Sequence, residues 1–144
     1  MEEYLAITGK IVSGAGQGAF FTRIDWVQQQ CAEKLGFRPY PGTLNLEISA
    51  EDLPIIESLD RKTGIELISP DPKFCNGKAF PVSLGKISAA IIRPEEKVRA
   101  HPKSIIEIIA PLNIKKTLNV IDGDIVTVVL TIFTVSDGVP HSQI

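Results

Sequence analysis

The chain has 144 residues, which suits one domain, and 44% of them are hydrophobic, enough for a real core. A formal net charge of −2 gives no electrostatic reason to expect a nucleic acid or an acidic membrane as partner. The two cysteines, Cys31 and Cys75, lack any metal-ligand spacing and read as reduced thiols, with Cys31 buried.

The opening Met1-Glu2-Glu3-Tyr4-Leu5 has neither the basic segment nor the long apolar run of a secretory leader, so a cytoplasmic location is expected. Leu5 to Val12 is rich in β-branched and apolar residues and predicts a strand. Gly14, Gly16 and Gly18 break it, with no helix expected directly after them. Asp25 to Leu35 is the main helix. Ile24, Val27, Cys31 and Leu35 recur at spacings of three and four, Asp25 suits an N-cap with Gln28 completing a capping box, and Gly36 suits a stop. Phe37 to Gly42 holds two prolines and a glycine and predicts a structured loop.

Thr43 to Ser49 alternates, placing Leu44, Leu46 and Ile48 on one face and Thr43, Asn45 and Glu47 on the other. Glu51 to Leu59 predicts a short helix weakened by Pro54. Gly64 to Ser69, Phe80 to Ile87, Ala89 to Arg93 and Ser104 to Ala110 predict strands, with loops at Pro70 to Lys78 and Arg93 to Pro102. Pro111 to Thr117 predicts a helical turn. Asp122-Gly123 predicts a tight turn before a long strand, Asp124 to Val135. That last run is too short to span a bilayer as a helix and carries three threonines, so no membrane partner is expected. Short, turn-separated strands against one main helix imply a mainly β protein, and a small closed barrel is the natural way to hide their edges. Residues 1–135 form the expected domain and 136–144 a polar tail.

Three segments could carry chemistry. In Ser13-Gly14-Ala15-Gly16-Gln17-Gly18-Ala19-Phe20, alternate glycines can free backbone N–H groups to form a phosphate-binding nest. The spacing matches neither the Walker loop nor the dinucleotide fingerprint, and a bulged hairpin is the plainer alternative. Thr43 and Asn45 stand two apart on a strand, so their oxygens point the same way. They either hold Mg²⁺ together with substrate phosphates or lie on a solvated face. Glu107 is the one charge in the strongly apolar strand Ser104 to Ala110. It is either solvated or placed in a site, where partial burial suits it to proton handling or to a polar ligand group. His101 and His141 are the only histidines and suggest no metal site or general base.

Taken in order, Gly9 to Gly18, Gly36 to Leu46 with its Pro39-Tyr40-Pro41-Gly42-Thr43-Leu44-Asn45-Leu46 stretch, Ala90 to Pro94, Ile106 to Pro111 and Asp122-Gly123-Asp124 resemble the CTP-dependent riboflavin kinases found mainly in archaea. The resemblance implies a six-stranded closed β-barrel of the cradle-loop type. It implies an enzyme that moves the γ-phosphate of CTP to the 5′-hydroxyl of riboflavin, giving FMN and CDP. It further implies that Gly14, Ala15, Gly16, Gln17, Gly18, Ala19 and Phe20 wrap the nucleotide phosphates, and that Leu112, Asn113, Ile114 and Lys115 form a second nucleotide segment. Thr43 and Asn45 would bind Mg²⁺. Glu107 would face the flavin, as a binding group or as the base on its hydroxyl. Family members carry a threonine before the Glu-Ile-Ile-Ala-Pro strand that helps hold FMN. Here the loop reads Lys97-Val98-Arg99-Ala100-His101-Pro102, and Arg99 stands nearest to its place. A non-catalytic flavin- or nucleotide-binding barrel is the alternative. A DNA-binding barrel is disfavoured by the acidic net charge.

Overall fold

A computed structural model describes residues 2–14, 17–71, 76–94 and 104–133. The elements in chain order are β1 (Glu2–Val12), α1 (Gln17–Arg23), α2 (Asp25–Lys34), β2 (Leu44–Ile48), α3 (Leu53–Leu59), β3 (Ile65–Leu67), β4 (Gly77–Leu84), β5 (Ile87–Pro94), β6 (Ile105–Ile109), α4 (Ile114–Leu118) and β7 (Ile125–Phe133). The protein is mainly β, as expected, and the described residues form seven strands in one sheet ordered β3-β4-β5-β6-β2-β1-β7. All pairings are antiparallel. A short further pairing, Val82↔Leu130 and Ser83↔Val129, brings β7 against β4. Pro81, which has no N–H to donate, sits just outside that pairing. Among the described residues no helix is long and apolar enough to cross a membrane.

Two apolar clusters explain why so many strands lack a clean polar face. One lies on the side of Ile7, Ile11, Leu46, Ile91, Ile106 and Leu130. The other gathers Val27 and Cys31 of α2 with Leu67, Ala79, Ala90, Ile92 and Ile109. Successive residues of β5 therefore enter different clusters, Ala89 and Ile91 one, Ala90 and Ile92 the other. A strand buried on both faces reads as a continuous apolar run, which is what Ala89 to Ile92 shows. Burying a side chain such as Ile91 or Ile106 contributes roughly 1.5–3 kcal/mol each.

Several local expectations change. The predicted strand Phe80 to Ile87 is instead a hairpin, turning at Gly85-Lys86 between the partners Leu84 and Ile87. Gly85 has φ +58°, the sign needed at the first central position of a two-residue hairpin turn of the II′ kind. The first strand begins at Glu2 rather than Leu5, because β7 supplies partners along its length, from Glu2↔Phe133 to Lys10↔Ile125. The short helix expected at Glu51 to Leu59 forms as α3, the helical turn expected at Pro111 to Thr117 forms as α4, and α1 stands where no helix was expected. The glycines hid α1. Its stability is tertiary, with Thr22 fully buried and Phe21 edge-on to Trp26 at 6.2 Å between ring centroids.

α2 follows its predicted span but not its predicted cap. Ile24 is the N-cap, extended and without a side-chain bond, and Asp25 lies in the first turn, where its charge still suits the helix dipole. The Gln28 amide makes no capping box; it donates to Thr22 O at 2.5 Å and to Pro39 O at 2.8 Å. Gly36 ends the helix as expected, at φ +83° with its N–H on Cys31 O. On the far side of α2, Gln30 takes Ile68 O and Ile68 N–H at 2.6 and 2.8 Å, and Lys34 reaches Glu66 O at 2.7 Å. Those backbone groups belong to β3 and its extension, and among the described residues β3 pairs only with β4.

Candidate active site

The site is built around β2 and β6. Asn45 and Glu107 are direct cross-strand partners, and both point away from the face of Leu44, Leu46, Ile106 and Ile108. Thr43 precedes β2, and its Oγ1 lies 3.3 Å from Glu107 Oε1 and 3.4 Å from Asn45 Oδ1. The Asn45 Nδ2 group donates to Thr43 O at 3.3 Å, which turns its Oδ1 toward the Thr43 hydroxyl. Three residues that the sequence treated as separate clues thus share one point. Asn45 is 7% exposed, one of three buried polar or charged side chains among the described residues.

Gly14 closes this point from above. A Cβ at residue 14 would stand 2.8 Å from Asn45 Cγ and would overlap Nδ2. Its backbone angle is not among the positive-φ glycines, so Gly14 is required for room and not for conformation. On this side the room at Gly14 is taken up by the Asn45 amide.

The expected second nucleotide segment lies beside the same residues. Leu112, Asn113, Ile114 and Lys115 line a cleft of about 170 Å³ with Tyr40, Gly42 and Thr43. Asn113 caps α4, its Oδ1 accepting from Lys116 N–H at 3.1 Å, and Asn119 ends that helix in the left-handed conformation at φ 57°. Lys115 Nζ pairs with Asp122 Oδ1 at 2.6 Å, while Ser13 Oγ donates to Asp122 Oδ2 at 2.9 Å. These bonds, from Lys115 first and Ser13 second, hold the Asp122 carboxyl below its ordinary value. The turn carrying Asp122 is anchored on β1 by Gly123 N–H to Ile11 O at 2.8 Å and Ile11 N–H to Asp124 O at 2.9 Å. The Asp-Gly-Asp turn was legible in the sequence. Its carboxylate joining the glycine loop to α4 was not, because no local pattern marks a bond between residues 13 and 122.

Of the remaining predicted residues, Gln17 and Gly18 open α1, and Ala19 and Phe20 follow on it, Phe20 being exposed. Ala15, Gly16 and Arg99 lie outside the described residues, as do Cys75, both histidines and the tail 136–144. No sequence signal marks Thr22, while Gln28 carries the spacing of a capping box and Ser13 only opens the glycine segment. The donor set at Thr43, Asn45 and Glu107 is all oxygen, which suits a hard cation such as Mg²⁺ and not a thiolate- or imidazole-seeking metal. Among the described residues no group of three or more His, Cys, Asp or Glu could hold a metal ion.

The family model CTP-dep_RFKase, described as a domain of unknown function, DUF120, matches residues 11–130. The chain is 38% identical over 131 residues to a riboflavin kinase of Pyrobaculum aerophilum, covering 86% of this chain and 60% of that protein. Against a riboflavin kinase of Archaeoglobus fulgidus it is 37% identical over 131 residues, covering 88% and 55%. Against one of Saccharolobus solfataricus it is 36% identical over 129 residues, covering 86% and 73%. The chain spans 55% to 60% of the length of the first two. With most of its length matched, from the end of β1 into β7, the chain belongs to the DUF120 family, the one whose model carries the short name CTP-dep_RFKase.

Proposed function

We propose that this chain is a CTP-dependent riboflavin kinase, moving the γ-phosphate of CTP to the 5′-hydroxyl of riboflavin to give FMN and CDP. The observation that carries the reading is the convergence of Thr43, Asn45 and Glu107 under Gly14, beside the cleft lined by Thr43 and the Leu112 to Lys115 segment. The riboflavin kinases named among its relatives support the substrate, and the family's short name supports the nucleotide. The strands β4-β5-β6-β2-β1-β7, with β7 back against β4, are read as the six-stranded cradle-loop barrel, β3 being an addition to its rim. The protein works in the cytoplasm, and its acidic net charge argues against a nucleic-acid partner.

Phosphoryl transfer asks mainly for positioning and charge neutralisation. Residues 14–20 hold the CTP phosphates through backbone N–H groups, and Leu112, Asn113, Ile114 and Lys115 hold the other side of the nucleotide. Lys115 exchanges part of its bond with Asp122 for the phosphates. Thr43 and Asn45 would hold Mg²⁺, which would neutralise phosphate charge there. Glu107 accepts a hydrogen bond from the riboflavin 5′-hydroxyl, orients it and takes its proton. A bond then forms from that oxygen to the γ-phosphorus, and the bond to the CDP oxygen breaks. Arg99 stands on the flavin-phosphate side. The test is incubation of the purified chain with riboflavin, Mg²⁺ and either CTP or ATP, with FMN followed by chromatography. FMN formed with CTP is the expected result, and no FMN with either nucleotide refutes the proposal.

A further inference from the structure

On the face of the sheet turned away from Leu46 and Ile106, side chains stand in rows across the strands. Val12, Asn45 and Glu107 form one row, because Asn45 pairs with Val12 on β1 and with Glu107 on β6. One step along the strands, Ile125, Lys10, Glu47 and Ile105 form the next, again through direct pairings. Residues two apart on a strand share a face and lie roughly 7 Å apart. Three members of the second row, Lys10, Glu47 and Ile125, line a groove of about 440 Å³ together with Leu53 and Ser104. That volume falls within the roughly 300–1,000 Å³ of small-molecule sites. Ile125 is 63% exposed, and Lys10 Nζ stands 3.8 Å from Glu47 Oε1 with both side chains half exposed. The reaction chemistry above uses none of these residues. The cleft of Thr43 and Leu112 to Lys115 opens at the opposite end of β2. That strand thus runs from cleft to groove, with Asn45 and its partner Glu107 in between.

We infer that this groove seats the isoalloxazine ring of riboflavin, with Lys10 and Glu47 reading the imide edge of the ring. The inference rests on the proposed function and adds to it the place of the acceptor. In-line transfer brings the nucleotide and the accepting hydroxyl to the γ-phosphorus from opposite sides. Cleft and groove lie on opposite sides of the Asn45 and Glu107 row. With the 5′-hydroxyl at Glu107, the five-carbon ribityl chain reaches one row along β2, and the ring then lies over Lys10 and Glu47. The imide edge presents an N–H flanked by two carbonyl oxygens. A carboxylate accepts from that N–H, and a neighbouring ammonium donates to a carbonyl. Ile125 offers the ring an exposed apolar surface. The Lys10 and Glu47 pair, long and half exposed, gives up little in turning to a ligand.

The test is fluorescence titration with riboflavin, and with riboflavin methylated on the imide nitrogen, of the wild type, Glu47→Ala and Lys10→Met. Calorimetric CDP titrations and urea midpoints stand beside them. Each substitution weakens riboflavin about tenfold, the ratio one hydrogen bond to a charged group carries, and leaves CDP affinity and the urea midpoint unchanged. Methylation costs the wild type about tenfold and costs Glu47→Ala almost nothing, because the acceptor is already gone. Unchanged riboflavin affinity in both variants overturns the inference, and so does an equal methylation penalty in the wild type and Glu47→Ala. A measurement on the wild type needs no variant: the Ile125 methyl resonances shift when riboflavin is added, because they meet the ring. Unmoved Ile125 methyl groups refute the seat. A wild type whose riboflavin affinity depends on Glu47 and on the imide N–H, yet yields no FMN with CTP or ATP, would overturn the kinase reading and leave the seat standing. FMN formed with the same riboflavin KM by the wild type and both variants would do the reverse.

Discussion

A Gly14→Ala chain would carry one extra methyl group directly over Asn45. The new carbon would lie 2.8 Å from Asn45 Cγ, well inside contact distance. The Asn45 backbone is held by Val12 on one side and Glu107 on the other, so the strand does not yield and the amide must turn. An off-rotamer amide costs about 0.5–1.5 kcal/mol. Forfeiting its place against Thr43 costs about another 0.5–1.5 kcal/mol. The sum, about 1–3 kcal/mol, corresponds to a roughly 5- to 150-fold loss in Mg²⁺-dependent CDP affinity. Global stability should change far less, because a turned side-chain amide leaves the sheet intact and alanine restricts the unfolded chain by about 0.4–1 kcal/mol. Calorimetric CDP titration in Mg²⁺ measures the first quantity and urea unfolding the second. A cycle with Asn45→Ala isolates the cause: once the amide is gone, Gly14→Ala should add almost nothing. Wild-type affinity in Gly14→Ala, or full additivity in the cycle, would refute the steric reasoning.

The Asp122 carboxyl should titrate below its ordinary 3.8 in a carbon-detected NMR experiment, because Lys115 and Ser13 both donate to its charged form. Its folded value is depressed, so its bonds stabilise the protein above the ordinary value and are lost as pH falls through the lowered one. Asp122→Asn should abolish that titration and free the Lys115 ammonium. Burial pushes the Cys31 thiol up to about 11, with Lys34 opposing weakly, so a Cys75→Ser chain should be nearly inert to a thiol reagent at pH 8 until urea unfolds it. Asp60→Ala should lower unfolding free energy by about 1.5–3 kcal/mol in urea titration, because Arg93, 4% exposed, would lose charge-assisted bonds to the carboxylate 3.3 Å from its guanidinium.

Where a local pattern had a single physical cause, the sequence was readable. The alternation of Thr43 to Ser49 placed Asn45 and Glu47 opposite the leucines, and β2 has that arrangement. Gly36 marked the end of α2 because its left-handed φ is a local demand. Readability failed where tertiary partners decided. Gln28 had the spacing of a capping box, yet Thr22 and Pro39 offered its amide better acceptors. Three glycines spoke against a helix after residue 14, yet burial of Thr22 and Phe21 against α2 forms α1. At the site, the residue types at 43, 45 and 107 were legible one by one. Their meeting rested on the register Asn45↔Glu107, which pairs residues 62 positions apart and leaves no local trace.

Gln30 offers Ile68 both an oxygen and an N–H, as the peptide group of a neighbouring strand would, and Lys34 occupies the next carbonyl. The outermost strand of the sheet is therefore satisfied by side chains of its own helix. A second molecule approaching that rim finds few backbone groups left to pair with, and Ile68, half exposed there, gains no cross-strand neighbour. Two polar side chains on α2 thus guard the protein against sheet-to-sheet association at high concentration. Gln30→Ala would be expected to leave the site untouched while hastening aggregation in storage, followed by light scattering.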